Sequence, residues 1–153
     1  MSTEFWSTFR LFRDWQSYDT SVNDIVAMAK VFLQCNRGQL FSFNIQQAAF
    51  ETEILQVFIP ESARWLDVSI SALQEWGGSI LSPVKDRIPH LRSLELKVWH
   101  TSPPNSQNFQ DRDYFKIVPN LTYVKSDTVR EWQFDWSNVT TLVLTGALES
   151  SFH

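Results

Sequence analysis

Cysteine is almost missing from this chain: Cys35 is the only one among 153 residues. No intrachain disulfide can form, and the protein fits a reducing compartment, cytoplasmic or nuclear, better than a secreted one. Glycine is scarce too, with four in total and Gly77-Gly78 the one adjacent pair, so no glycine-rich phosphate loop can be assembled. The three histidines, His90, His100 and His153, lie far apart, and neither a His-x-x-x-His nor a Cys-x-x-Cys spacing occurs. That excludes the usual metal patterns, and no cofactor is expected. Positive charge is not in excess: 13 basic against 17 acidic residues leave a net charge of −4 and a pI near 5.3, so nucleic acid is a poor partner. Long apolar runs are absent as well. The most apolar helical stretch, residues 25–33, is interrupted by Lys30 and too short to span a bilayer, and the start lacks a signal-peptide pattern.

These absences leave little room for catalysis. Cys35 has no histidine near it in sequence and reads as a small, half-buried thiol at a helix end. Asp111-Arg112-Asp113 reads as a solvated helix start. The tripeptides Asn120-Leu121-Thr122 and Asn138-Val139-Thr140 match the glycosylation pattern, but that pattern is common by chance and needs a secretory route. With no nucleophile, metal or phosphate constellation, the chain is not expected to be an enzyme.

What the chain does have is a recurring six-residue phrase. It runs apolar, two variable residues, apolar, one variable, and usually apolar again: Trp6-x-x-Phe9-x-Leu11, Leu40-x-x-Phe43-x-Ile45, Trp65-x-x-Val68-x-Ile70, Leu91-x-x-Leu94-x-Leu96, Leu121-x-x-Val124-x-Ser126 and Val139-x-x-Leu142-x-Leu144. Between the central anchors the steps are 34, 25, 26, 30 and 18 residues, most of them near the length of one strand plus one helix. Such a period predicts a leucine-rich-repeat solenoid, a single α/β domain over residues 1–153 in which about six parallel strands form a curved sheet backed by helices. Apolar strand edges close to both chain ends fit a fragment of a longer array.

Between the phrases the period changes from 2 to about 3.6. Residues 24–34 put Ile25, Ala29, Phe32 and Leu33 on one face and stop near Asn36-Arg37-Gly38. Residues 47–59 align Phe50, Ile54, Val57 and Phe58, closed by Pro60. In residues 73–88 a short helix is expected to restart near Ser82-Pro83, and residues 111–118 read as a brief helix after a polar, proline-containing loop at 101–108. Two copies of one element, Ile88-Pro89-His90-Leu91 and Val118-Pro119-Asn120-Leu121, stand 30 residues apart. Proline stops the preceding segment and fixes an extended entry to the strand. The tryptophans Trp6, Trp65 and Trp76 fall in apolar register and are expected in the core; Trp132, Phe134 and Trp136 form an extended segment that fits either core or a binding edge.

On these residues the chain resembles the leucine-rich-repeat region of the large fungal F-box protein families. The similarity lies in Phe5-Trp6-Ser7-Thr8, in Val31-Phe32-Leu33-Gln34-Cys35-Asn36 with Leu40-Phe41-Ser42-Phe43, and in Ser62-Ala63-Arg64-Trp65. It continues through Asp86-Arg87-Ile88-Pro89-His90-Leu91-Arg92-Ser93-Leu94, the second Pro-x-Leu strand, and Trp136-Ser137-Asn138-Val139-Thr140-Thr141-Leu142. The resemblance implies the substrate-binding part of a receptor for a cullin-RING ubiquitin ligase, with a Skp-type adaptor as partner only where an F-box stands upstream. The alternative is a free-standing interaction or decoy module, or a truncated gene product, that does not engage the ligase.

Either way the expected partner is a target protein or peptide, and the expected site is the strand face opposite the core. Period 2 sends Arg10, Asn44, Asp67, Ser69, Ser93, Glu95, Lys97, Tyr123, Lys125, Thr141 and Val143 to that side. In curved repeat proteins this concave sheet is the usual binding surface. A mixed-charge strip with a tyrosine fits a protein or peptide better than a small apolar ligand.

Overall fold

Five of the six phrases bury their central residue, and all six become strands. The computed structural model describes residues 7–11, 22–46, 51–74, 81–99, 113–126 and 134–145. Its strands are β1 (Thr8–Leu11), β2 (Phe41–Ile45), β3 (Trp65–Gln74), β4 (Ser93–Trp99), β5 (Tyr123–Ser126) and β6 (Thr141–Leu144); its helices are α1 (Val22–Asn36) and α2 (Glu51–Phe58). Every adjacent pair of strands is parallel, and the order in the sheet is the order in the chain. The protein is therefore α/β, with each crossover stepping one strand further in the same direction.

The register follows the phrase. Phe9 faces Phe43, Phe43 faces Val68, Val68 faces Leu94, Leu94 faces Val124 and Val124 faces Leu142. A second row, Ile45, Ile70, Leu96, Ser126 and Leu144, runs beside it. Because side chains alternate across a strand, both rows point to one side, where the core lies. α1 contributes Ile25, Ala29 and Phe32, and α2 contributes Ile54, Leu55 and Phe58, all buried. Rings fill the first half of this core. Phe9 lies 5.2 Å from Phe58 and 5.5 Å from Phe32, and Phe43 lies 5.0 Å from both Phe58 and Trp65. Contacts of this kind add about 0.5–1.5 kcal/mol each beyond the area they bury. Trp65, as expected, is wholly buried, and its Nε1–H donates to the Phe58 carbonyl at 3.1 Å.

Helix α1 ends where its sequence calls for an end: Arg37 and Gly38 take φ of +57° and +75°, a left-handed exit that glycine adopts freely. The Arg64 guanidinium clamps this exit, donating to Asn36 Oδ1 at 3.0 Å and lying over the Phe41 ring at 5.3 Å. Cys35 is half-buried at the end of the helix.

Several local expectations need correction. Leu40, expected inward, is exposed; Phe41 takes its place opposite Trp65, because the register between β2 and β3 shifts by one residue before Phe43 and Val68 meet. Pro60 does not simply end a helix. It sits in the first turn of a 3-10 helix, Ile59–Arg64, that leads into β3. The restart near Ser82 is one 3-10 turn, Ser82–Val84, and β3 continues through Leu73 to Gln74. No helix forms over residues 113–118: this stretch is a turn in which Phe115 bridges Phe134 in parallel. A segment so short, stopped by Pro119, cannot repay helix nucleation, whereas Phe115 gains a stacked neighbour at 6.1 Å. Leu142 and Leu144 lie in the inward rows but are 46% and 37% exposed on the edge strand. Phe134 is buried and Trp136 exposed. Trp6, Phe50, Trp76, Trp132 and the 101–108 loop fall outside the described residues.

The two proline elements become stacked turns at the strand entries, with Leu91 and Leu121 donating back to Ile88 and Val118 at 3.4 and 3.1 Å. A third turn, without proline, joins Val139 to Trp136 at 3.3 Å. Side chains tie neighbouring turns together: Asn120 Nδ2 donates to the Pro89 carbonyl at 2.7 Å, and Asn138 Nδ2 to the Pro119 carbonyl at 2.6 Å. Thr122 and Thr140 hydroxyls donate to the carbonyls of Arg92 and Thr122. Both Asn-x-Thr tripeptides thus have a structural explanation.

Candidate binding face of the sheet

The residues between the inward anchors form two further rows on the other side of the sheet. One is Thr8, Ser42, Asp67, Ser93, Tyr123 and Thr141; the other is Arg10, Asn44, Ser69, Glu95, Lys125 and Val143. Lys97 extends the β4 column by one more outward position. The register therefore brings the eleven residues singled out in the sequence onto one face. Each is half-buried or exposed. Neighbouring rungs stand about 4.8 Å apart, a spacing that presents side chains as a grid.

Thr8 and Ser42 belong to the same row but were not singled out, although they hold the phrase position of Asp67 and Ser93. The signal was present, since the same alternation that picked out Ser93 and Thr141 applies to both. Arg92 was missed for another reason. It lies one residue before β4, outside the strand alternation, yet its side chain returns over the sheet to Asp67.

Over β1–β4 the face is hollowed into an open groove of about 310 Å³, lined by Thr8, Arg10, Ser42, Asn44, Asp67, Ser69, Ser93 and Glu95. Its electrostatics are organised by two ion pairs. Arg92 grips both carboxylate oxygens of Asp67, Nε to Oδ1 at 3.0 Å and Nη2 to Oδ2 at 2.9 Å. That hydrogen bonding and the attraction of the carboxylate raise the Arg92 pKa. Ser42 Oγ donates to Asp67 Oδ2 and accepts the Asp67 N–H, both at 3.2 Å. One strand further, Lys125 Nζ lies 3.5 Å from Glu95 Oε1. Asn44 is less settled: its Oδ1 is buried without a hydrogen-bond partner among the described residues. A buried amide oxygen left unpaired costs about 1–3 kcal/mol, so this atom is a point where an incoming donor gains most.

Elsewhere, His90 is an exposed residue of a strand-entry turn, and His100 and His153 lie outside the described residues. Among the described residues no group of three or more His, Cys, Asp or Glu side chains is gathered to hold a metal ion. No helix among them is long and apolar enough to cross a membrane. Two carboxylates remote from the face have depressed pKa values. Asp113 is lowered chiefly by its hydrogen bond from Lys85, at 2.6 Å, and Asp135 by hydrogen bonds from Ser137 and from the Val118 N–H. Both brace turns beneath the strands.

Comparison of the chain with protein-family models, with curated proteins and with solved structures finds no match.

Proposed function

We propose that this chain is a protein-recognition module, a leucine-rich-repeat solenoid whose concave sheet face holds a target protein or peptide. The observation that carries this reading is the register: six apolar anchors, spaced irregularly in sequence, fall into one row across the sheet. Repetition of that kind puts the invariant chemistry on the buried side and leaves the variable positions together on the other. The variable side is broad, polar and open, with donors and acceptors at regular intervals, and it suits an extended or folded protein surface. Its groove has none of the enclosure of a small-molecule pocket.

The finer reading rests on the resemblance in sequence. In it, the module is the substrate-binding part of an F-box type receptor of a cullin-RING ubiquitin ligase, acting in the cytoplasm or nucleus. The Skp-type adaptor is then engaged by an F-box elsewhere in the same polypeptide. Isolation of the native gene product with an antibody to this region tests both levels. Recovery of a Skp-type adaptor, together with a target whose capture is lost in a Ser69→Tyr variant, is the expected result. Capture of the target without adaptor leaves recognition standing and removes the ligase. A target held equally well by Ser69→Tyr removes the sheet face.

A further inference from the structure

The described part of the open face carries charge of the opposite sign to the chain. The protein as a whole has a net charge of −4, with 17 acidic and 13 basic residues. On the described part of the face, however, the cations Arg10, Arg92, Lys97 and Lys125 stand against the carboxylates of Asp67 and Glu95 alone. Both carboxylates are already engaged, Asp67 by Arg92 at 2.9 Å and Glu95 by Lys125 at 3.5 Å. Arg10 and Lys97 are exposed, and among the described residues no hydrogen bond or ion pair joins either to another group. What the face has to offer a partner is therefore positive charge at two places.

We infer that the ligand of this face is an extended acidic segment of another protein, placing one carboxylate against Arg10 and a second against Lys97. This rests on the reading of the face as the binding surface and adds the chemistry of the partner. The geometry sets the spacing. Arg10 lies in the row of Asn44, Ser69 and Glu95, three strands from β4, and Lys97 lies two residues beyond Glu95. At about 4.8 Å per strand and about 3.3 Å per residue, the two cations are roughly 16 Å apart, a span covered by about five extended residues. Between them the segment passes over the groove and over Asn44, whose buried Oδ1 lacks a partner among the described residues. A ligand N–H completes that atom once the Asn44 amide turns over to bring it to the surface. Arg10 is the better carboxylate receptor of the two, because a guanidinium takes both oxygens in parallel.

The other candidate ligands fit less well. A basic segment has only carboxylates that are already paired, and displacing Arg92 or Lys125 would cost the bonds it gained. An apolar segment would cover both unpaired cations and leave them without water or partner.

The test is selection of random peptides displayed on phage against the purified chain. Selection is repeated on Arg10→Glu, Lys97→Glu and Ser69→Tyr variants whose far-ultraviolet circular dichroism matches the parent. The expected result is enrichment of sequences with two acidic residues about five apart, whose synthetic versions lose about tenfold or more in affinity on either charge reversal and weaken as salt rises. Enrichment of neutral or basic peptides that Ser69→Tyr blocks and the charge reversals leave alone would overturn this inference while sparing the face. Peptides indifferent to all three variants, or no enrichment at all, would remove both.

Discussion

Asp67 and Arg92 are 25 residues apart in sequence and on adjacent rungs in space, joined by two parallel hydrogen bonds of 3.0 and 2.9 Å across the open face. The pair shows how the sheet works: a strand brings the carboxylate, the entry turn of the next strand brings the guanidinium, and a Ser42 hydroxyl from the strand before donates to Asp67 Oδ2 as well. Three units meet at one carboxylate. The geometry is bidentate, but Arg92 is 58% exposed, which limits its worth in water. A double-mutant cycle of Asp67→Asn and Arg92→Gln, followed by urea denaturation, is expected to give a coupling of about 0.2–1 kcal/mol that shrinks in high salt. A coupling several times larger would show the pair to be shielded from solvent.

The inward rows predict a gradient of stability along the sheet. Leu94 is 1% exposed in the middle of the sheet, and Leu142, in the same row, is 46% exposed on β6. Leu94→Ala is expected to cost about 2–5 kcal/mol, the usual range for emptying a core site. Leu142→Ala is expected to cost less than about 1 kcal/mol, since little burial is lost. Equal losses in chemical denaturation would mean that the last strand is covered in solution.

The turn ladder predicts stability from residues that look superficial. Asn120 and Asn138 are exposed, yet each donates to a carbonyl in the preceding turn. Replacing either with alanine is expected to cost about 0.5–1.5 kcal/mol. His90→Ala, at the matching position of the first turn, is expected to be nearly silent. Thermal melts of the three variants check the ranking.

Acid should loosen the turns at the base of the strands. Asp113 and Asp135 both have folded-state pKa values below their ordinary ones, Asp113 through Lys85 and Asp135 through Ser137 and the Val118 N–H. A depressed carboxylate stabilises the fold above its unfolded pKa, and that contribution is lost as pH falls through the folded value. Stability should therefore decline on the acid side of the carboxylate range. In Lys85→Ala the Asp113 carboxyl, followed by NMR, is expected to titrate at higher pH than in the parent; an unmoved titration would mean that the 2.6 Å contact is not kept in solution.

Much of the sheet was legible because its signal is periodic. A phrase with apolar residues at fixed positions survives loops of different lengths, and the anchors 9, 43, 68, 94, 124 and 142 meet in register. Alternation then gives the outward side chains without further information. What the sequence hid was local. Leu40 and Phe41 are both apolar, and only the one-residue shift against β3 decides that Phe41 goes in and Leu40 stays out. Residues 113–118 carry Phe115 and Val118 three apart, a helical spacing that a turn satisfies equally well. The pairing of Asp67 with Arg92 needs the distance between turns and strands, which no local window contains.

Amide NMR of the labelled protein, titrated with a bound target segment, tests the central claim that recognition uses the open sheet face. The account predicts the largest shift changes at Asn44, Ser69, Glu95 and Lys125, with the helix-side residues Lys30, Gln56 and Val57 undisturbed. The reverse pattern, changes centred on α1 and α2 with a silent sheet face, would contradict it.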